Sequence, residues 1–145
     1  MSEAKKRQEE IVAQFSSISS WEDRYKKIIA LGKELSPIPE KYQTEDYLVK
    51  GCQSQVWMHA EMNEQGGMDL MGDSDAMIVK GLVALLLKAY SGLPPQEITQ
   101  NPPTFIEELG FQEYLSPSRA NGFLSMVKQI MLYATALQMT YKSKI

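Results

Sequence analysis

The chain has 145 residues, a formal net charge of −3 and a single cysteine. A chain of this length buries a sizeable core without disulfide or metal, so we expect one domain over residues 1–145. The acidic balance, with a pI of about 5.2, argues against nucleic acid as the main partner. One cysteine excludes an internal disulfide, and the first residues lack a secretory pattern, so we expect a reducing, cytoplasmic location.

The first part of the chain predicts two helices followed by a loop. Apolar residues at helical spacing between Ser2 and Ser17 indicate a short amphipathic helix with a narrow buried face, which we expect to dock weakly. Ser20 is typical of a helix N-cap, so a second helix is predicted from about Trp21 to Leu35. Two prolines then end this helix and open an ordered loop over Ser36 to Asp46.

The middle of the chain predicts a β-hairpin. Apolar and polar residues alternate from Gln55 to Met62, as they do in a strand with one buried face. Asn63 to Gly67 supplies the residues of a turn, and Met68 to Gly72 returns as a second strand. Tyr47 to Lys50 is a candidate third strand.

The rest of the chain predicts helices. Asp73 to Asp75 mark a helix start, and Ala76 to Ser91 are expected to form a largely buried helix. Gly81, inside it, costs about 1 kcal/mol relative to alanine, which predicts close packing of a neighbour. Two proline pairs open short helices, and Ser116-Pro117 opens a long C-terminal helix. The expected fold class is therefore α+β, a small antiparallel sheet packed against helices.

The longest apolar run, Gly81 to Ala89, is shorter than the roughly 20 residues that a membrane-spanning helix needs. Lys80 directly precedes this run, and Lys88 lies next to its last residue. We therefore expect a soluble protein that makes no use of a membrane.

The chemistry of the chain centres on Cys52. Gly51 permits an unusual backbone turn before it, and the other neighbours are polar, so a loop thiol within reach of a partner competes with an ordinary buried cysteine. Such a thiol can accept the outer sulfur of a partner's persulfide. Lys50 would favour the thiolate, the alternative being a solvated lysine.

A metal site or a cysteine hydrolase fits the composition less well than sulfur acceptance by Cys52 does. Metal and iron–sulfur sites usually need about four ligands rich in cysteine or histidine, whereas this chain has one of each. We therefore expect no metal and no cofactor. A Cys52–His59 pair, as in a cysteine hydrolase, is a further alternative, although His59 lies seven residues onward in a predicted strand.

Four blocks of the chain resemble the SufE family of sulfur-acceptor proteins, in the same order and over nearly the whole length. The blocks are Trp21 to Tyr25 with Ile28 to Gly32, Gly51 to Trp57, Gly72 to Leu82, and Leu115 to Gly122. The resemblance implies a SufE/IscU-like fold in which Cys52 takes sulfur from a SufS-type cysteine desulfurase and passes it to a SufBCD-type scaffold. The chain would stimulate the desulfurase without itself being an enzyme, and pyridoxal phosphate would belong to that partner.

The resemblance also implies roles for residues around the cysteine. In this family the acceptor cysteine lies on a loop over an apolar hollow, and Gly51, Gln53 and Ser54 would support that loop. Asp75 and Arg119 match positions associated with the loop and with the desulfurase-facing surface. Their ordinary alternatives are a helix N-terminus for Asp75 and an ion pair for Arg119.

Two related functions stay open at this point. A CsdE-like acceptor would serve a different desulfurase, with tRNA modification as its destination. An IscU-like protein would instead assemble the cluster itself, and the lone Cys52 argues against that role.

Overall fold

The computed structural model describes the backbone of residues 2–144 and the side chains of residues 2–140. Helices and a two-stranded antiparallel sheet make up this part of the chain, which confirms the α+β class. The helices are α1 (Glu3–Ser16), α2 (Trp21–Lys33), α3 (Met77–Tyr90), α4 (Pro95–Gln100), α5 (Thr104–Glu108), α6 (Phe111–Tyr114) and α7 (Pro117–Lys144). The strands are β1 (Val56–Met62) and β2 (Met68–Ser74).

β1 and β2 form the predicted hairpin. Met62 pairs with Met68 beside the turn, and Val56 pairs with Ser74 at the open end. Alternate residues of β1 from Val56 to Ala60 are buried, because successive side chains of a strand point to opposite faces. The open end of the hairpin, where the chain enters β1 and leaves β2, is the part that bears on Cys52.

The predicted third strand over Tyr47 to Lys50 is wrong. Leu48 makes an isolated bridge to Trp57, while Glu40–Tyr42 and Glu45–Tyr47 form two short 3-10 turns. Glu45 and Asp46, in the second of these turns, are residue types that strands disfavour. The chain therefore reaches the cysteine loop as a folded loop along the edge of β1.

α2 and α3 cross at a pair of glycines. A Cβ atom placed on Gly81 would overlap the carbonyl oxygen of Ile28, and one placed on Gly32 would come within 2.8 Å of the Gly81 nitrogen. The two helix backbones therefore touch, which only residues without a side chain allow. This confirms the close packing predicted at Gly81.

α1 docks more firmly than its narrow apolar face predicted. Phe15 is fully buried. The Gln8 side-chain amide donates to the carbonyl of Asn101 at 3.3 Å, and the Arg7 guanidinium donates to the carbonyl of Ser91 at 2.7 Å. These polar contacts add to the apolar ones, and hydrophobic periodicity does not register them. The prediction of weak docking was therefore wrong.

The predicted cap of α3 is also wrong. Ala76 takes the N-cap position without a side-chain hydrogen bond. Asp73 is buried instead, where its carboxylate lies 3.3 Å from the Lys80 ammonium and accepts from the Ile38 N–H at 3.4 Å. The acidic residues before α3 serve tertiary contacts rather than the helix end.

α7 begins as its sequence predicted. The Ser116 hydroxyl accepts from the Arg119 N–H at 3.3 Å, and Pro117 takes the first helical position. Its buried residues recur at helical spacing from Phe123 to Ala134. Of the helices in the described part of the chain, none combines the length and the apolar character needed to span a bilayer.

Candidate functional site

Cys52 lies on the loop that leads into β1 and faces the first turns of α7. Gly51, just before it, has a φ of +94°, in the left-handed region that side chains disfavour. A Cβ atom at Gly51 would also collide with the hydroxyl of Ser125 in α7. The glycine therefore lets the loop turn closely over α7 and sets the cysteine against that helix.

The thiol rests on the backbone of Gly122. Cys52 Sγ lies 3.5 Å from the Gly122 carbonyl oxygen, within reach of a weak hydrogen bond from the thiol. A Cβ atom on Gly122 would stand 3.5 Å from the same sulfur, so the helix presents bare backbone at this point. Cys52 is thus half-buried at rest.

The other end of the loop is fastened to the end of β2. The Ser74 hydroxyl donates to the carbonyl of Gln55 at 2.7 Å, and Asp75 Oδ1 accepts from the Gln55 N–H at 3.1 Å. Because both polar groups of one backbone residue are held, the loop is fixed three residues after Cys52. Asp75 therefore lies at the cysteine loop rather than in α3.

A cavity of about 370 Å³ opens beside the thiol. Val79 of α3 and Met126 of α7, both buried, give it an apolar floor. Its rim is polar and is lined by Gln53, Ser54, Ser116, Ser118 and Arg119. The hollow expected beneath the cysteine is therefore apolar on one side only, and the polar side carries an exposed guanidinium.

Two residues of this site were missed from the sequence. Gly122 carries the same signal as Gly81, a glycine inside a helix, which predicts the close approach of a neighbour. Ser74 lies in a matched block, but no local pattern distinguishes a serine that bonds the carbonyl of a distant loop. Three-dimensional placement alone identifies its role.

His59 belongs to a different cluster. Its ring stacks on Tyr42 with centroids 4.1 Å apart, and its Nε2 lies 3.4 Å from the Glu61 carboxylate. The described residues that line the cavity beside Cys52 do not include it, so the geometry gives a Cys–His pair no support. Within residues 2–140, no three His, Cys, Asp or Glu side chains are grouped to hold a metal ion.

Burial raises the pKa of the Cys52 thiol above its ordinary value, because a desolvated site disfavours the charged thiolate. The expected help from Lys50 does not appear among the causes of this shift. Lys50 is exposed and lines a separate groove with Glu45 and Asp46. The resting thiol is therefore protonated at neutral pH, while sulfur exchange requires the thiolate.

We expect the rate of Cys52 alkylation by iodoacetamide to rise with pH through a midpoint above the ordinary thiol value of about 8.5. Unfolding removes the burial, so the midpoint in denaturant should fall back to that ordinary value. The single cysteine makes intact mass a direct readout in both series. A native midpoint at or below the denatured one would contradict the buried resting state.

Known proteins are similar to this sequence over most of its length. The model of the SufE family, described as an Fe–S metabolism associated domain, matches residues 9–134. SufE-like protein 1, chloroplastic/mitochondrial, from Arabidopsis thaliana is 40% identical over 130 residues, which are 90% of this chain and 35% of that protein. An uncharacterized SufE-like protein of Synechocystis is 43% identical over 129 residues, 89% of this chain and 80% of that protein.

The fold is shared with a solved structure. The solution structure of a hypothetical protein from Thermus thermophilus matches with a TM-score of 0.77 and 21% identity, over 92% of this chain and 96% of that one. The chain spans about a third of the length of its Arabidopsis relative. The family match includes the cysteine loop, the end of β2 and the start of α7. On this match, the chain belongs to the SufE family, whose domain is associated with Fe–S metabolism.

Proposed function

We propose that the protein is a sulfur acceptor in iron–sulfur cluster assembly. Cys52 takes sulfur from the persulfide of a SufS-type cysteine desulfurase and passes it to a SufBCD-type scaffold. The observation that carries this proposal is a half-buried thiol on a glycine-turned loop beside a cavity. The cavity has room for a second sulfur atom and shelters it from other thiols and oxidants.

The transfer replaces one sulfur–sulfur bond with another. The Cys52 thiolate attacks the outer sulfur of the donor's persulfide, and a bond forms between Sγ and that sulfur. The donor's own sulfur–sulfur bond breaks, and its electron pair leaves on the donor cysteine as a thiolate. The proton lost by Cys52 goes to water or to that thiolate, so the step consumes no outside oxidant or reductant.

The contact with Gly122 determines which way the sulfur group of Cys52 turns after the transfer. The protonated thiol donates to the Gly122 carbonyl. Once Sγ has lost its proton or gained a second sulfur, it has no hydrogen to donate and faces an oxygen that repels it. The sulfur group then turns from Gly122 toward the rim, where the Arg119 guanidinium and the rim hydroxyls can donate to it.

The segment that moves is bounded by two fixed points. Gly51 supplies the turn at one end, and the bonds of Ser74 and Asp75 to Gln55 hold the other. Between these points the loop opens at the partner surface, exposes the thiol and removes the burial that holds it protonated. By emptying the donor's persulfide, the chain stimulates the desulfurase, in which the pyridoxal phosphate chemistry takes place.

Incubation with a cysteine desulfurase and cysteine is expected to add one sulfur atom to the chain, because an opened Cys52 accepts the donor's outer sulfur. Intact mass before and after treatment with a reductant measures the gain and its reversal. A parallel sample without desulfurase should gain nothing. An unchanged mass beside a desulfurase that forms its own persulfide would overturn the proposal.

A further inference from the structure

Aromatic and cationic side chains at the start of α2 contact the segment just before α7, the helix whose first residues form part of the cavity rim. The Trp21 ring stacks on Tyr114, with centroids 4.6 Å apart and an interplanar angle of 15°. The Tyr25 hydroxyl donates to the carbonyl of Tyr114. The Arg24 guanidinium donates to the carbonyl of Leu109 at 3.5 Å. Three side chains from one helix thus hold the chain just before α7.

The segment before α7 needs these contacts to keep its position. α6 is four residues long, too short to be a stable helix by itself, and Tyr114 is 53% exposed. Leu115 alone separates Tyr114 from Ser116, whose hydroxyl caps α7 through the Arg119 N–H. The position of the Tyr114 carbonyl therefore sets where α7 begins and where the rim residues stand.

Aromatic packing also connects α2 to the part of α7 that contacts the Cys52 thiol. Trp21 meets Phe111 edge-on with ring centroids 5.4 Å apart, and Phe111 meets Phe123 with centroids 5.7 Å apart. Phe123 directly follows Gly122, on which the thiol rests. A continuous set of rings therefore joins the start of α2 to the part of α7 that contacts Cys52.

The second half of α2 packs on α3, the helix that contributes Val79 to the apolar floor of the cavity. Ile28 touches Gly81 of α3 through the close helix contact. Gly81 follows Val79, which forms part of the cavity floor, by two residues. α2 therefore contacts both α3 and the segment that leads into α7, the two helices that contribute Val79 and Met126 to the cavity floor.

We propose that Trp21 and Tyr25 are positioning residues for the sulfur-accepting site, which hold the Ser116-to-Arg119 rim in place beside Cys52. Both act through Tyr114 rather than on the sulfur itself. The inference rests on the proposed function, because the geometry of the rim matters to the reaction only if Cys52 carries sulfur. It gives the Trp21-to-Tyr25 block a role in the chemistry beyond packing.

The decisive variant is Tyr25→Phe, which removes the hydroxyl and keeps the ring. A loosened rim should admit water and reagent to the thiol. We expect alkylation of Cys52 at neutral pH to become about three- to tenfold faster, because a less buried thiol is more readily ionised at that pH. Tyr90→Phe is the matched control, because it removes a hydroxyl bond of 2.7 Å to the Asn101 carbonyl, away from the cavity.

Two substitutions of Trp21 separate positioning from general stability. Trp21→Ala removes the stack on Tyr114 and should reproduce the faster alkylation. Trp21→Phe keeps an aromatic ring against Tyr114 and should restore a profile close to that of the unmodified chain. All variants are measured well below their melting temperatures, which are determined in parallel.

Alkylation that keeps its rate and pH profile in both Tyr25→Phe and Trp21→Ala, despite lower melting temperatures, would overturn the inference. Equal acceleration in Tyr90→Phe would do so too, because it would show a general loosening of the fold. Sulfur loading is assayed separately. If the unmodified chain takes up no sulfur, the proposed function fails, while the alkylation series still decides whether these residues hold the rim.

Discussion

Cys52→Ser is expected to take up no sulfur and to leave the desulfurase at its unstimulated rate. A serine hydroxyl stays protonated at neutral pH, and the described residues that line the cavity include no His, Asp or Glu to act as its base, so it does not attack a persulfide. The hydroxyl can still donate to the Gly122 carbonyl that the thiol meets. We therefore expect a change of less than about 1 kcal/mol in the free energy of unfolding, so that the loss reports on chemistry.

Mass gain and cysteine turnover are measured side by side for Cys52→Ser and for a loop control. Gln65→Ala is suitable as the control, because it truncates an exposed side chain in the hairpin turn, outside the residues that line the cavity, and keeps the thiol. The control should load one sulfur. Reducible sulfur on Cys52→Ser would show that another group of the chain accepts it and would remove Cys52 from the mechanism.

Gly81→Ala is expected to destabilise the fold strongly for so small a substitution. The new methyl group would overlap the Ile28 carbonyl oxygen, which belongs to the backbone and has no rotamer change to escape by. Overpacking of this kind costs about 1–3 kcal/mol. The better helix propensity of alanine recovers at most about 1 kcal/mol of it, so we expect a net loss of about 1–2 kcal/mol.

Gly122→Ala supplies the matched control, since it makes the same change at another buried helical glycine. Its Cβ atom would meet Cys52 Sγ at 3.5 Å, an ordinary contact. We expect this variant to unfold near the midpoint of the unmodified chain or slightly above it. Denaturant unfolding of both compares the two sites, and equal midpoints would contradict the backbone contact between α2 and α3.

Local patterns predicted the elements whose shape is set by neighbours in sequence. Strand alternation found the hairpin, and a capping serine before proline found the start of α7. The docking of α1 and the cap of α3 were mispredicted for one shared reason. Buried polar groups such as Gln8 and Asp73 are satisfied by partners far along the chain, and periodicity carries no record of those partners.

Some features of the site were likewise predictable from local sequence, and others were not. The glycine turn before Cys52 and the close approach at a helical glycine are local signals, so the thiol and the existence of close packing were predictable. The cavity was not, because its walls come from the cysteine loop, α3 and α7. The raised pKa of Cys52 follows from that enclosure, which is why the charge of Lys50 was a misleading guide.

The hydrogen bond between Cys52 and the Gly122 carbonyl has a consequence for how partner proteins recognise this chain. An empty Cys52 is hydrogen-bonded to it, whereas a loaded one loses that bond, so under the proposed mechanism cargo changes the surface that other proteins meet. A donor that recognises the empty form and a recipient that recognises the loaded form would then distinguish empty chains from loaded ones. The direction of delivery would then depend on how much more tightly the recipient binds the loaded form than the donor does.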